Sequence, residues 1–198
     1  DGKVFYKNAL PNEIPQMSVG LLLDESGSMC SCDRCTYARS SAIILYDFCK
    51  ALHIPVTVYG HSTSGNSVEL YSYAEFESID NDDKYRMMDI AARGSNRDGA
   101  ALRFVAEQLV KRPEEVKILI LVSDGQPAAP GYYGSAAEED LRGIRQEYRR
   151  KGVLFIAAAI GEDKQNIERI YGDSFMDITD LNQLPVKLTA AVKRHMRV

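Results

Sequence analysis

Val19-Gly20-Leu21-Leu22-Leu23-Asp24-Glu25-Ser26-Gly27-Ser28-Met29 is the stretch on which the reading of this chain turns. An unbroken apolar run marks a strand buried on both faces, as in parallel sheets, and here it stops at an aspartate. A buried strand does not accept Asp24 within its own run. At the carboxyl end of a parallel strand, however, the side chain emerges into the crevice where α/β folds bind ligands. Ser26 and Ser28 share its face, because alternate residues of extended chain point the same way, and Gly27 lets the backbone turn between them. A carboxylate and two hydroxyls, without nitrogen or sulfur, suit a hard cation: Mg²⁺, Mn²⁺ or Ca²⁺.

Working outward, apolar runs alternate with helical patterns. Further runs fall at Ile54–Tyr59, Val68–Phe76, Ile118–Ser123, Val153–Ile160 and Phe175–Ile178. Between them, Tyr37, Ser41, Ile44 and Phe48 line one helical face, widened by Ala38, Ala42, Leu45 and Leu52. Leu102, Val105, Ala106 and Leu109 form a second stripe, Ala137, Leu141, Ile144 and Tyr148 a third, and Leu181, Leu184, Leu188 and Val192 a fourth. This alternation predicts an α/β fold, doubly wound, with a mostly parallel central sheet and helices on both faces. Ser135 and Glu138 read as a capping box, Gly152 as a helix stop, and Pro113 as the end of the second helix. Residues 1–15 read as a lead-in segment with a candidate edge strand at Val4-Phe5-Tyr6, and 16–198 as one domain.

Composition fits a single soluble domain: 198 residues, 45% hydrophobic and 26% charged, are enough for a substantial core. A net charge of −4 and a pI near 5.5 give no electrostatic case for nucleic acid or an anionic membrane. No apolar stretch approaches the roughly 18–20 residues of a membrane span, and no secretion signal is visible, so a cytoplasmic location is expected. The first residue is Asp rather than Met, as expected of a domain cut from a longer chain.

Two other segments reach the same crevice if the sheet is parallel. Ile118–Val122 runs into Ser123-Asp124-Gly125-Gln126-Pro127, where Gly125 permits a turn and Pro127 stops an immediate helix. Gly94-Ser95-Asn96-Arg97-Asp98-Gly99 places Asn96 and Asp98 just before a helix, at the end of a polar stretch running from Glu77 to Asp98. A polar insertion of that length is more often functional than incidental.

With these segments together the chain resembles the von Willebrand factor A (VWA) domains. DESGSM at 24–29 matches their DxSxS motif, SDG at 123–125 their later aspartate, and NRDGAAL at 96–102 stands in the place of TxTGxAL. The resemblance runs from about Gln16 onward. It implies a metal-ion-dependent adhesion site, with Ser26 and Ser28 binding directly and Asp24 and Asp124 directly or through water. Asn96 aligns with the family's coordinating threonine and Asp98 with its second threonine, so the remaining ligand is Asn96 or Asp98. The metal so implied is Mg²⁺, with Mn²⁺ or Ca²⁺ as substitutes, and its exchangeable position accepts an Asp or Glu of another protein.

NRDGAAL together with SDGQPAA is similar to the VWA domain of the NorD (nitric oxide reductase activation) and CobT (cobaltochelatase) group. That resemblance implies a non-enzymatic module working with a MoxR-type AAA+ ATPase to remodel a client or insert a metal cofactor.

Enzyme readings fail at essential residues. A haloacid-dehalogenase-type phosphotransferase, the chief alternative, wants DxD, and Ser26 holds the second position. A serine hydrolase wants GxSxG, and a P-loop wants Gly-Lys-Ser/Thr; neither is present.

Cys30, Cys32 and Cys35 form CxCxxC just after the metal motif. They offer a soft-metal site for Zn²⁺ or an Fe–S cluster, completed by His61 or an external ligand, or else a redox-sensitive or unliganded trio. Cys49 is a poor fourth member of such a site, because a continuous helix puts it about 21 Å from Cys35, and it reads as a core residue. His61 reads as a loop hydrogen-bonder, and His53 and His195 show no partners. Glu75, Glu77, Asp80, Asp82 and Asp83 read as a solvated acidic run.

Overall fold

The computed structural model describes residues 16–78, 80–125, 127–159 and 164–177, with a few positions between 180 and 190. Val4-Phe5-Tyr6, the stripe from Leu181 to Val192, and His195 fall outside the described residues or rest largely on undescribed ones.

In chain order the elements are β1 (Met17–Asp24), a 3₁₀ turn (Gly27–Asp33), α1 (Arg34–Ala51), β2 (Val56–Ser64), β3 (Ser67–Ala74), α2 (Asp83–Met87) and α3 (Asp98–Val110). There follow β4 (Val116–Ser123), the short β5 (Ala128–Ala129) and β6 (Tyr132–Tyr133), α4 (Gly134–Arg150), β7 (Val153–Ala159), α5 (Lys164–Tyr171) and β8 (Phe175–Asp177). The main sheet has the order β3-β2-β1-β4-β7-β8. Every pairing in it is parallel except the β2–β3 hairpin. This is the doubly wound architecture that the alternation predicted.

Each face of the sheet carries its own core. Val19, Leu21 and Leu23 of β1 pack with Ile118, Ile120 and Val122 of β4 against Ala38, Ala42, Leu45 and Cys49 of α1. Leu22 of β1 faces the other way, with Leu119 and Leu121, toward Leu102, Val105 and Leu109 of α3 and Leu141, Ile144 and Tyr148 of α4. The two-residue alternation of a strand thus serves both layers. Each fully buried aliphatic side chain contributes about 1.5–3 kcal/mol.

Several local readings change. The buried face of α1 is Ala38, Ser41, Ala42, Leu45, Tyr46 and Cys49, whereas Tyr37 is exposed and Ile44 and Phe48 are half-buried. Small residues in the inner row let the helix sit close to the sheet. No capping box forms at Ser135: α4 begins one residue earlier, after the β5–β6 hairpin, with Tyr133 in the capping position and no side-chain cap. In the acidic run, Asp83 is buried rather than solvated, because the Tyr46 hydroxyl (2.6 Å), Ser78 and Arg86 all donate to it.

Candidate metal site

The sheet order puts β1 between β2 and β4, so the chain's direction of winding reverses there and leaves a crevice at the strands' carboxyl ends. Leu23 is in register with Val122, which brings Asp24 and Ser123, the last residues of β1 and β4, to the mouth of that crevice. Asp24 is fully buried and accepts three hydrogen bonds. Ser123 Oγ and Asn96 Nδ2 each donate to its Oδ2 at 2.9 Å, and the Ser26 backbone N–H donates to its Oδ1 at 2.8 Å. The loops of three distant segments are therefore joined on one carboxylate. Just beyond it, Ser26 Oγ and Ser28 Oγ stand 3.0 Å apart.

The orientation of the Asn96 amide follows from its neighbours. Its nitrogen faces the Asp24 carboxylate, and its oxygen accepts from the Ala128 backbone N–H at 3.3 Å. The flipped amide would set oxygen against carboxylate and NH₂ against N–H, losing both bonds.

Asp98 opens α3 and is buried against His61, whose Nε2 lies 3.1 Å from Asp98 Oδ1, off the line of a well-directed hydrogen bond. Burial pushes the imidazole pKa down, but the Asp98 carboxylate, then Asp24 and Glu25, outweigh it and raise it above the ordinary histidine value. His61 is thus not a loop residue. It lies within β2, in register with Asp24, and its ring is committed to Asp98. Asp124, one residue past β4, is buried, and Arg34 Nη1 approaches its Oδ2 at 3.5 Å.

Glu25 is also fully buried, and sequence reasoning missed it. Tyr73 Oη donates to its Oε1 at 2.6 Å and Arg93 Nε to its Oε2 at 2.7 Å. A Cβ on Gly60 would stand 1.7 Å from Glu25 Oε1, so only glycine leaves room for that carboxylate. The Glu25 backbone joins in, its N–H donating to His61 O and its C=O accepting from the Arg93 N–H, while Gly27 N–H donates to Gly94 O. The 24–28 turn and the 91–96 loop are thereby clamped together. Nothing in the sequence flagged Glu25 apart from its place inside the motif.

Cys30 is exposed and Cys35 half-buried, with burial and then the field of Glu25 pushing the Cys35 thiol up. The side chain of Cys32 lies outside the described residues. Among the described residues no three His, Cys, Asp or Glu side chains form a metal-binding cluster. Cys49 is core, and burial pushes its thiol up to about 12. His53 is exposed at a left-handed turn, φ 55°. No helix among the described residues is long and apolar enough to cross a membrane.

A doubly wound sheet in this strand order, with DxSxS leaving the first strand and SDG leaving the fourth, defines a VWA domain. Within that class, the model of the cobalamin biosynthesis protein CobT VWA domain matches residues 82–196, more than half of the chain, and the chain belongs to that family. An uncharacterized protein of Bacillus subtilis (strain 168), YojO, is 26% identical over 206 residues, covering 97% of this chain and 32% of that protein. Protein NorD of Brucella suis biovar 1 (strain 1330) is 34% identical over 97 residues, covering 48% of this chain and 15% of that protein. The chain therefore spans a third or less of the length of these relatives. Among solved structures, a von Willebrand factor type A protein from Catenulispora acidiphila has a TM-score of 0.61 at 18% identity, covering 86% of this chain and 40% of that one, a likeness of fold.

Proposed function

We propose that this VWA domain is a non-enzymatic, divalent-metal-dependent interaction module of the cytoplasm, holding Mg²⁺, or Mn²⁺ or Ca²⁺, at Ser26, Ser28, Asp24 and Asp124. The observation that carries the reading is the 3.0 Å separation of the Ser26 and Ser28 hydroxyl oxygens. Two adjacent ligands of an octahedral Mg²⁺ with bonds of about 2.1 Å stand about 3.0 Å apart, whereas the longer bonds to Ca²⁺ call for a wider pair. Asp24, with both oxygens already accepting hydrogen bonds, contributes its charge and a water-mediated contact. Asn96 orients Asp24 rather than ligating, and Asp98, held by His61, stays outside the inner ligand set.

A bound Mg²⁺ supplies an exchangeable coordination position for a carboxylate. The residues at the rim leave the inner shell mostly to neutral hydroxyls, which keeps attraction for an incoming Asp or Glu of a client strong. The family's likeness to NorD and CobT carries the further proposal of a MoxR-type AAA+ ATPase as partner. In place of a phosphotransferase's second acid stands Ser26, whose hydroxyl is paired with Ser28.

The test has two arms. Calorimetric titration with MgCl₂ should show binding to the wild-type chain and none to Ser26→Ala/Ser28→Ala, with the circular dichroism of both alike. Capture of a MoxR-type ATPase should occur in Mg²⁺ and fail in EDTA or with Asp24→Ala. Retained Mg²⁺ affinity in the double variant would refute the site; capture indifferent to EDTA would refute the metal's part in that contact.

A further inference from the structure

Arg34 stands over the site just described without belonging to the motif that defines it. Its Nη1 lies 3.2 Å from the Ser28 carbonyl oxygen and 3.5 Å from Asp124 Oδ2, so one guanidinium spans the two loops proposed to share the metal. The side chain is only 15% exposed, which limits solvent screening of that charge. Local backbone holds it there. The 3₁₀ turn ends at Asp33 with φ 57°, a left-handed conformation that few non-glycine residues take and that Asp tolerates better than most. Beyond that kink Arg34 opens α1 with its side chain directed back toward Ser28.

We propose that Arg34 is a tethered cation that competes with the divalent metal and sets the affinity of the site; this rests on the metal reading above. An arginine is charged at every physiological pH, so it neutralises Asp124 when the metal is away and repels the ion as it arrives. Metal binding and the Arg34–Asp124 contact are then mutually antagonistic, and each weakens the other by the same factor. The consequence is a site that fills at higher metal concentration than its oxygen donors alone dictate, and a guanidinium released from Asp124 whenever the ion is seated.

The experiment is calorimetric titration of the whole 198-residue chain with MgCl₂, comparing wild type, Arg34→Gln and Arg34→Lys. The neutral variant should bind on the order of tenfold more tightly, and the lysine variant, which keeps the charge, within about threefold of wild type. Thermal midpoints separate this from a merely structural role. Arg34→Gln should melt below wild type in EDTA, with the gap closing in saturating Mg²⁺. Arg34→Met, which keeps the apolar stem, replaces the Gln variant if circular dichroism shows that variant unfolded. Equal or weaker Mg²⁺ affinity in a folded neutral variant, or a stability gap that persists in Mg²⁺, overturns the inference while leaving the metal site standing. Absence of binding to wild type and neutral variant alike overturns the metal reading, and the inference with it.

Discussion

Ser123 Oγ donates to Asp24 Oδ2 across 2.9 Å, and the same hydroxyl oxygen accepts the Gly125 N–H at 3.0 Å. One side chain therefore ties the ends of β1 and β4 together and shapes the turn that carries Asp124. Ser123→Ala leaves Asp24 with two of its three donors and strands the buried Gly125 N–H. A destabilisation of about 1–2 kcal/mol is expected in urea unfolding, with weaker Mg²⁺ binding by calorimetry, because Asp124 loses its fixed turn. A variant as stable as wild type would show that the hydroxyl is not the tie.

Asn96→Asp makes a sharper change. It replaces a donor to Asp24 with a second carboxylate about 3 Å away, a like-charge contact in a buried place. In EDTA the variant should lose about 2 kcal/mol or more of stability. Saturating Mg²⁺ should recover much of it, because a dication is the remedy for two adjacent carboxylates. Thermal melts with and without Mg²⁺ decide the point, and an unrescued loss would place the ion elsewhere.

At the back of the motif, Glu25→Ala leaves the Tyr73 hydroxyl without its acceptor and Arg93 Nε without its carboxylate. The carboxylate is fully buried but Arg93 is 36% exposed, which discounts the loss to about 3 kcal/mol. Gly60→Ala should cost at least as much, since its methyl would overlap Glu25 Oε1. Denaturant midpoints of the two single variants and the double measure this. A double variant no worse than either single one is expected, because the two share one interaction.

Asp83 governs an acid-sensitive contact between α1 and α2. Burial pushes its carboxyl up, but hydrogen bonds from Ser78 and Tyr46 and then Arg86 more than compensate, so its pKa lies below the usual aspartate value. A carboxylate held low stabilises the fold above the unfolded pKa of about 3.9 and loses that contribution as pH falls through the folded value. Asp83→Asn should accordingly cost about 2 kcal/mol at pH 7, with the difference from wild type shrinking as the buffer is taken below about pH 4. A gap independent of pH would assign the effect to packing.

Much of this was legible from the chain. Apolar runs ending in Asp24 and Ser123 fixed both the strands and their direction, since a carboxylate can leave a buried strand only at its end. The stripes on α3 and α4 are legible because Leu102, Val105 and Leu109, and Leu141 and Ile144, mark their inner faces; that on α1 is misleading because Ala38, Ala42 and Cys49 look weaker than Tyr37 or Phe48. The pairings of His61 with Asp98, Glu25 with Arg93 and Arg34 with Asp124 were not legible, since each joins positions separated by dozens of residues and no local pattern encodes a partner. Asn96 illustrates the same limit: the sequence gives its type, but only its neighbours in the fold, the Asp24 carboxylate and the Ala128 N–H, set which way the amide points.

Two of the three donors that meet on Asp24 come from 72 and 99 positions further along. A ribosome that has released only the first half of this domain has therefore made the serines but not the cage. On the metal reading proposed above, ion capture waits until β4 has slotted in beside β1, so a loaded site reports that these two strands have paired. Truncated or half-folded copies would be silent to any partner that docks through the metal.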